Sequence, residues 1–251
     1  MGPAYGNRPC TNPRGCGDGL WGFEVLLCCG DGETGSARTI EIIDRPLKDW
    51  SGIVKWLEDQ VLGILCLILF APLMGLIALA IRLESPGAAF FKQKRYGFNN
   101  ELVEVLKFRT MYTHLCDDKG ENLTERNDRR ITRIGRLLRK SSLDELPQLV
   151  NVIKGEMSLV GPRPHPVSAK AAGRFYREVV AKYSFRHKVK PGITGWAQVN
   201  GWRGETDTEE QILRRIEHDL FYIDNWSFTL DLKILFMTIF TLFRHAAGKA
   251  F

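Results

Sequence analysis

The chain contains one long apolar run followed by several amphipathic segments. Residues 61–81 carry no charged side chain, and about 20 apolar residues in a helix span the hydrocarbon core of a bilayer. The run therefore predicts a membrane-inserted helix. Pro72 lies near its middle and removes one backbone hydrogen bond, so we expect the helix to bend there. The helix either spans the bilayer with a kink or breaks and returns to the same face, which requires partners for the freed backbone groups.

Shorter elements follow the apolar run. Residues 85–111 combine a Pro-Gly turn, an aromatic run and partial alternation, which predicts short strands. The last apolar segment, residues 230–243, is short for a membrane span and contains a lysine, so it predicts an interfacial or core helix. Helices, most of them amphipathic, are predicted for residues 128–140, 143–153, 168–184 and 207–223. The predicted fold class is α+β, a mostly helical body with a small sheet, anchored by the N-terminal membrane-penetrating helix and by interfacial amphipathic helices.

The first 45 residues differ from the rest in composition. Residues 1–45 are rich in glycine and show no sustained periodicity, which predicts a disordered tail or a linker remnant. No basic stretch follows Met1, so no signal peptide is predicted. We therefore expect three parts: this tail, a membrane helix region at 46–84, and a body at 85–251.

The charge of the chain is unevenly distributed. The formal net charge is +6, but acidic side chains outnumber basic ones before residue 61, so the body from Arg82 onward is strongly basic. A basic body beside a membrane helix favours anionic partners: phospholipid headgroups, nucleotides or nucleic acid. The cations that closely follow the run favour a cytoplasmic body; they are Arg82, Lys92, Lys94 and Arg95. The six cysteines show no C-x-x-C spacing, so no zinc site is predicted.

The densest candidate chemistry surrounds the adjacent carboxylates Asp144 and Glu145. One interpretation is structural, because Ser142 and Glu145 have the spacing of a helix capping box. Pro147, one turn further on, would remove a backbone bond from such a helix and weakens that interpretation.

Fixed cations on both sides of the two carboxylates favour a functional site. A carboxylate among arginines stays ionised at neutral pH and can act as a nucleophile or as a Mg²⁺ ligand. Arg139 before the pair and Arg163 after it can hold phosphate oxygens through two parallel hydrogen bonds.

Two flanking segments add further candidates. Lys107 and Arg109 are two residues apart and would share one face of a strand, although a solvated edge strand explains them equally. Residues 186–207 combine glycines, two tryptophans and basic side chains. Glycine lets a backbone approach a ligand closely. Trp196 or Trp202 could stack on a sugar or a base, lie at a membrane interface, or be an ordinary core aromatic.

These segments, in this order, resemble the bacterial sugar transferase family of polyprenyl-phosphate phosphoglycosyl transferases. The resemblance covers residues 46–251 and is carried, besides the apolar helix, by SPGAAFFKQKRYG, KFRTM, SLDELPQLVNVIKGEMSLVGPRP and HKVKPGITGWAQVNGWRGETDT. The run GWAQVNGWRGETDT is most similar to the hexose-1-phosphate branch, and within it to the undecaprenyl-phosphate glucose phosphotransferases that start exopolysaccharide repeat units.

The resemblance implies a two-step transfer. A hexose 1-phosphate, with glucose expected and galactose as its nearest rival, passes from a UDP-sugar to undecaprenyl phosphate. Asp144 is implied as the nucleophile that attacks the sugar-bearing phosphorus, releases UMP and carries the phosphosugar. Glu145 is implied to lie beside a Mg²⁺ cofactor, and Asp144 and Glu145 are the candidate metal ligands.

Further residues receive roles beside this pair. The expected phosphate ligands are Lys107, Arg109, Arg139 and Arg163, and the expected sugar or nucleotide contacts are Trp196, Gln198 and Arg203.

The resemblance also implies a location. The catalytic domain, residues 85–251, would face the cytoplasm at the bacterial inner membrane, anchored by a re-entrant helix bent at Pro72. Many members have serine before that proline, whereas this chain has Ala71. The closest relatives are longer, so we expect a shortened member. Inner-membrane lipids are expected partners and nucleic acid is not, and a homodimer stays open. The alternatives are an inactive scaffold for polysaccharide assembly and a membrane-tethered protein that binds nucleic acid through residues 126–140.

Overall fold

The chain forms two compact units, Met1–Arg45 and Pro46–Phe251. A computed structural model describes residues 25–26, 40–41, 50–113, 128–165, 170–171, 174–176, 183–204 and 208–246. In the first unit, Val25–Leu26 (β1) pairs antiparallel with Ile40–Glu41 (β2). The predicted disorder of the remainder of residues 1–45 lies outside the described residues.

The second unit is mostly helical and contains small two-stranded sheets, as the α+β class requires. Its helices are α1 (Trp50–Glu84), α2 (Arg133–Ser141), α3 (Gln148–Ile153), α4 (Trp196–Val199), α5 (Glu209–Asp224) and α6 (Phe228–Ala246). Among the described residues, 3₁₀ turns span Phe98–Asn100, Leu143–Glu145 and Tyr183–Lys188. The strands are β3 (Phe90–Tyr96), β4 (Leu102–Phe108), β5 (Ser158–Val160), β6 (Lys170–Ala171), β7 (Arg174–Phe175) and β8 (Gly192–Thr194). β3 pairs antiparallel with β4, β5 parallel with β8, and β6 antiparallel with β7.

The apolar run lies inside a helix longer than the run itself. α1 has 35 residues and continues through Pro72, and at 1.5 Å per residue it is about 50 Å long. Within the part of the chain that the structure describes, it is the one helix long and apolar enough to cross a membrane. Only 11% of its most apolar window is buried, so most of that surface faces outward. A re-entrant path through the bilayer stays a prediction.

The strands predicted in residues 85–111 are present as β3 and β4, but two helix predictions need correction. The helix predicted over 168–184 is wrong for residues 170–171 and 174–175, where β6 and β7 form an antiparallel pair, whereas Tyr176 is helical. Gly173 between them is a poor helix former. The helix predicted over 143–153 is split, because a 3₁₀ turn precedes Pro147 and α3 begins after it.

The three remaining helices lie close to their predicted positions. α2 begins at Arg133, with Thr132 accepting a hydrogen bond from the Gly135 amide, while Ile131 forms an isolated bridge to Met111. α5 begins with a capping box between Thr208 and Gln211. α6 includes the predicted segment 230–243.

α6 presents two different faces. Ile234 and Asp231 are fully buried against the body. The opposite face carries exposed apolar side chains at helical spacing, namely Phe228, Leu232, Phe236, Ile239 and Phe240. α6 is therefore a core helix on one side and an apolar surface on the other, which is the form an interfacial helix takes.

The main core joins the body to α1. Its buried members include Val105, Leu149, Val152, Met157, Val160, Tyr222, Ile223 and Ile234, with Leu62, Cys66 and Phe70 of α1 packed against them. Gly63 lies where α1 crosses α3, and a Cβ there would be 3.3 Å from Val152 Cγ1. The close crossing fixes α1 beside the helix that follows the Asp144–Glu145 turn.

A buried polar group also ties α1 to the body. Lys55 Nζ of α1 is 2.6 Å from Asp231 Oδ2 and 3.3 Å from Asp59 Oδ1. Asp231 also accepts hydrogen bonds from the Tyr222 hydroxyl and the Trp226 indole. Asp59 accepts from the Leu159 amide of β5. Because these charges are buried, each depends on its partners.

We predict that Asp231→Ala destabilises the protein by about 3–5 kcal/mol, because it leaves Lys55 buried with one carboxylate fewer. Thermal unfolding in detergent measures the effect. Glu217→Ala is the matched control, since Glu217 is exposed and its ion pair with Arg214 is on the surface. An unchanged melting temperature for Asp231→Ala would contradict the prediction.

The tip of the β3–β4 hairpin is held by His187. Its Nδ1 faces Asn100 Oδ1, and its ring stacks on Tyr96 with centroids 5.8 Å apart. Because Nδ1–H donates to Asn100, Nε2 carries the lone pair, and this buried atom has no hydrogen-bond partner. Burial and the nearby Arg186 lower the pKa of His187 to about 3.

This depressed pKa predicts a stability that falls on acidification. Folded His187 stays neutral, whereas the unfolded chain takes up a proton near pH 6.5. Stability is therefore lost as pH falls below about 6.5, by up to about 1.4 kcal/mol per pH unit. Melting temperatures at pH 7.5 and 5.5 measure the loss. His187→Gln should reduce it and the more exposed His218→Gln should not; equal losses in both variants would refute the assignment.

Candidate active site

The two carboxylates lie on a 3₁₀ turn between helices rather than at a capped helix start. α2 ends at Ser141, and the next residue, Ser142, caps it with a φ of 59°, in the left-handed region. Its side chain makes no capping hydrogen bond to the turn Leu143–Glu145. The capping-box interpretation is therefore wrong. Pro147 occupies the position that precedes α3, where its missing N–H leaves no helical bond unmade.

Glu145 is buried and is held by three cations. Arg163 Nη1 lies 3.0 Å from Oε2 and Arg163 Nη2 lies 2.5 Å from Oε1, which is a two-point contact. Lys107 Nζ lies 3.2 Å from Oε1, and Arg203 Nη2 lies 3.4 Å from Oε2. The predicted residues Lys107, Arg163 and Arg203 thus meet on one carboxylate, although they come from three separate segments.

Asp144 has a different environment although it is the neighbouring residue. Its side chain is half-buried and makes no hydrogen bond or ion pair with any residue that the structure describes. Burial raises the pKa of Asp144, and Glu145 raises it further, against the influence of Lys107, Arg163 and Arg139. A carboxylate without partners keeps its oxygens available for a substrate.

The surrounding cations shift the pKa values of the two carboxylates to different extents. Burial alone would raise the pKa of Glu145, but Arg163, Lys107 and Arg203 outweigh it and hold that pKa well below its usual value. Burial and, as a smaller contribution, the charge of Arg95 lower the pKa of Lys107 to about 8. Glu145 is therefore a fixed anion, and Asp144 is the more basic carboxylate.

Arg163 is held through the backbone on both sides. Gly192 N donates to the Pro162 carbonyl at 3.0 Å. Arg95 donates to the Pro164 carbonyl at 2.6 Å. Two of the glycines in residues 186–207, Gly192 and Gly195, let two backbones meet, since a Cβ on Gly192 would lie 2.1 Å from Gly161 N and one on Gly195 2.2 Å from Gly161 O.

Arg95 is a site residue that the sequence analysis did not assign. It lies on β3 and is buried, and its Nη2 donates to Gln93 Oε1 at 2.8 Å. Burial, then the charge of Arg163, lowers its pKa to about 10. The alternation of Gln93 and Arg95 along β3 was the available signal, because it places both side chains on the hairpin face that carries Lys107.

The other two predicted phosphate ligands have different positions. Arg139, on α2, is within electrostatic reach of Asp144, and its Nε donates to Thr110 Oγ1 at 2.8 Å. Arg109 is not brought to the dyad. It donates instead to the carbonyls of Ser85 and Pro86, just after α1. β4 ends at Phe108, so the alternation that would align Arg109 with Lys107 does not continue.

The three residues predicted to contact the sugar or nucleotide do not all lie at the dyad. Trp196 stacks on Phe221, with centroids 5.8 Å apart, and Lys233 lies over its ring, so Trp196 belongs to the edge of the core. Gln198 is buried and donates to the Ile193 carbonyl. Among the described residues no hydrogen bond joins either side chain to Asp144 or Glu145. Arg203 alone of the three contacts the dyad.

The arrangement has an excess of positive charge suited to phosphate. Five cations surround the two carboxylates; they are Arg95, Lys107, Arg139, Arg163 and Arg203. In the described part of the chain no group of three or more His, Cys, Asp or Glu side chains could hold a metal ion. A site of this kind can bind a diphosphate and present one unpaired carboxylate to it.

Comparison with known proteins agrees with this chemistry. The chain is 51% identical over 195 residues to an undecaprenyl-phosphate glucose phosphotransferase of Komagataeibacter xylinus, covering 78% of this chain and 37% of that protein. It is 47% identical over 216 residues to a UDP-glucose:undecaprenyl-phosphate glucose-1-phosphate transferase of Escherichia coli (strain K12), covering 86% and 46%. The chain thus spans less than half the length of these two relatives.

A shorter relative is matched almost completely. The chain is 46% identical over 187 residues to the exopolysaccharide production protein PSS of Rhizobium leguminosarum bv. phaseoli, covering 74% of this chain and 94% of that protein. The family model described as bacterial sugar transferase matches residues 50–245, which include α1 and every residue of the site. The chain belongs to the bacterial sugar transferase family.

Proposed function

We propose that this chain transfers a hexose 1-phosphate, with glucose as the preferred sugar, from a UDP-sugar to undecaprenyl phosphate, releasing UMP and starting an exopolysaccharide repeat unit. The observation that carries the proposal is the contrast within the dyad: among the described residues Asp144 makes no hydrogen bond or ion pair, whereas Glu145 is fixed by three cations. Membership of the family and the names of the relatives support the substrates.

The reaction we propose has two displacement steps at one phosphorus. An oxygen of Asp144 attacks the sugar-bearing phosphorus of the UDP-sugar, the bond from that phosphorus to the bridging oxygen breaks, and UMP leaves with the electron pair. A phosphate oxygen of undecaprenyl phosphate then attacks the same phosphorus. The bond to Asp144 breaks, and the carboxylate is restored with the lipid-linked diphosphate sugar as product.

The environment of Asp144 suits the first step. Its raised pKa makes it a stronger nucleophile than an exposed aspartate, and the nearby cations favour its ionised form. Arg163 and Lys107, which face the dyad, can also stabilise charge that develops on the phosphate oxygens. Positioning and charge stabilisation are the main contributions a protein makes to phosphoryl transfer.

The dyad fits a Mg²⁺ ion that takes most of its ligands from substrate phosphate and water, as Mg²⁺ commonly does. Asp144 has open oxygens, and the pKa of Glu145 keeps it ionised. When bound, Mg²⁺ would neutralise the diphosphate.

The proposed location is the cytoplasmic face of the bacterial inner membrane. α1 would anchor the chain and the exposed apolar face of α6 would lie at headgroup level, where a lipid phosphate meets a soluble nucleotide sugar. Exposed apolar side chains on both helices support this placement.

The first prediction of the proposal concerns UMP release. Wild-type protein with undecaprenyl phosphate and Mg²⁺ should release UMP from UDP-glucose faster than from UDP-galactose. Asp144→Asn should abolish release, because the amide is not a nucleophile, while the surface control Glu217→Gln should retain it. Without acceptor, the intact mass of the wild type should rise by one hexose phosphate. Full release by Asp144→Asn would exclude Asp144 as the nucleophile.

The second prediction concerns the metal. Removal of divalent ions with EDTA should stop UMP release, and added Mg²⁺ should restore it. Glu145→Gln should raise the Mg²⁺ concentration needed for half-maximal rate and lower the maximal rate by about 10²-fold, because it removes a charge from the site. Unchanged activity in EDTA would rule out the metal. A normal Mg²⁺ requirement in Glu145→Gln would remove Glu145 as its ligand.

A further inference from the structure

A buried charged group lies behind the active site without touching the dyad. It consists of Asp219 and Arg215 on α5, Arg186 on the 3₁₀ turn Tyr183–Lys188, and His165 after the Pro-Arg-Pro segment. Each of these side chains is at most 5% exposed. Arg186 Nη2 lies 2.8 Å from Asp219 Oδ2, and Arg215 lies one helical turn before Asp219 on the same face.

Arg186 connects this group to Arg163. Its Nη2 donates to the backbone carbonyl of Arg163 at 2.5 Å. The same residue, Arg163, makes the two-point contact with Glu145 through its side chain. The buried group therefore holds the backbone from which the strongest ligand of Glu145 extends.

Arg215 makes the corresponding connection to Arg203. Its Nε donates to the Trp202 carbonyl at 2.8 Å, and its Nη2 donates to the Gly204 carbonyl. These two carbonyls flank Arg203, whose guanidinium reaches Glu145. One side chain thus fixes the backbone on both sides of a second ligand of Glu145.

His165 lies between the two arginines. Arg186 Nη1 faces its Nδ1, and Arg215 Nη1 lies 3.4 Å from its Nε2. Burial and the charges of Arg186 and Arg215 hold the pKa of His165 well below its usual value, so the ring is neutral. Asp219 supplies the one carboxylate in the group, which lets two guanidinium groups lie close together in the interior.

We propose that Arg186, paired with Asp219, and the neighbouring Arg215 are positioning residues that fix Arg163 and Arg203 on Glu145 and act on catalysis only through them. This inference rests on the proposed function. A purely structural role would lower stability without linking the effect of Arg215 to that of Arg203.

A double-mutant cycle on UMP release tests the link. Arg215→Met and Arg203→Met should each lower kcat by roughly 10- to 100-fold, with a smaller change in KM for the UDP-sugar. The double variant should be no slower than the slower single variant, because the two changes remove the same contact to Glu145. Arg214→Met is the control, since Arg214 is exposed on the same helix, and it should match the wild type.

Two further variants keep the test decisive if Arg215→Met does not fold. Arg215→Lys keeps the charge beside Asp219 but lacks the planar guanidinium whose separate nitrogens reach the two carbonyls, so it should fold and still lose activity. Arg186→Lys with Arg163→Met repeats the cycle on the other ligand. Melting temperatures identify folded variants.

The outcomes separate the inference from the proposed function. Multiplied losses in the double variant, or full activity of a folded Arg215→Met, would overturn the positioning role. Full activity of Arg203→Met would overturn it as well. No UMP release by the wild type, or full release by Asp144→Asn, would instead count against the proposed reaction at this site.

Discussion

The ion group on Glu145 is the interaction on which the site depends. A buried carboxylate is strongly unfavourable unless it is paired and hydrogen-bonded, and Glu145 has its partners because β4, the Pro-Arg-Pro segment and the segment after α4 all meet there. Lys107, Arg163 and Arg203 are equally dependent on Glu145, since each is itself largely buried. The four charges stabilise one another, and together they fix three segments that are far apart in the chain.

The geometry of a 3₁₀ turn explains how adjacent carboxylates come to differ. Successive residues in a 3₁₀ turn are rotated by about 120° because there are about three residues per turn. Glu145 contacts the cations directly, whereas Asp144 makes no hydrogen bond or ion pair with a described residue and interacts with the cations through their charge. In an α-helix start with a capping box, the glutamate would have turned back toward the backbone and the ion group would not form. Pro147 favours the observed turn by separating it from α3.

The identities of the site residues could be predicted from the sequence better than the contacts between those residues. Asp144, Glu145, Lys107, Arg163 and Arg203 were assigned from motifs, and four of them meet directly in the structure. Arg109 was assigned to the same strand face as Lys107, which fails because the strand ends one residue earlier. Long-range pairings, such as Arg186 with Asp219, leave no periodic signal because their partners are 33 residues apart in sequence.

In the fold, too, features set by local sequence patterns could be predicted, whereas contacts between distant residues could not. The apolar run of α1 and the capping box of α5 are local patterns, and both helices lie close to their predicted positions. The 168–184 helix was predicted from amphipathic spacing alone, and such spacing does not exclude the strand pair that replaces part of it. A single sequence also could not show that the glycines of residues 192–195 serve close backbone packing on Gly161 rather than a ligand.

The polar group around Lys55 gives the membrane helix a defined register relative to the site. Apolar packing alone would let α1 slide along the core with little change in free energy, since the surface of α1 is apolar over many turns. A shift of one turn would move Lys55 away from Asp231 and Asp59 away from the Leu159 amide, leaving buried charges without partners. Leu159 lies in β5, the strand that leads into the Pro-Arg-Pro segment, so the contact that fixes α1 also fixes the strand that delivers Arg163 to Glu145. The anchor and the charged centre are thus linked by hydrogen bonds, which are directional, as well as by apolar contacts, which are not.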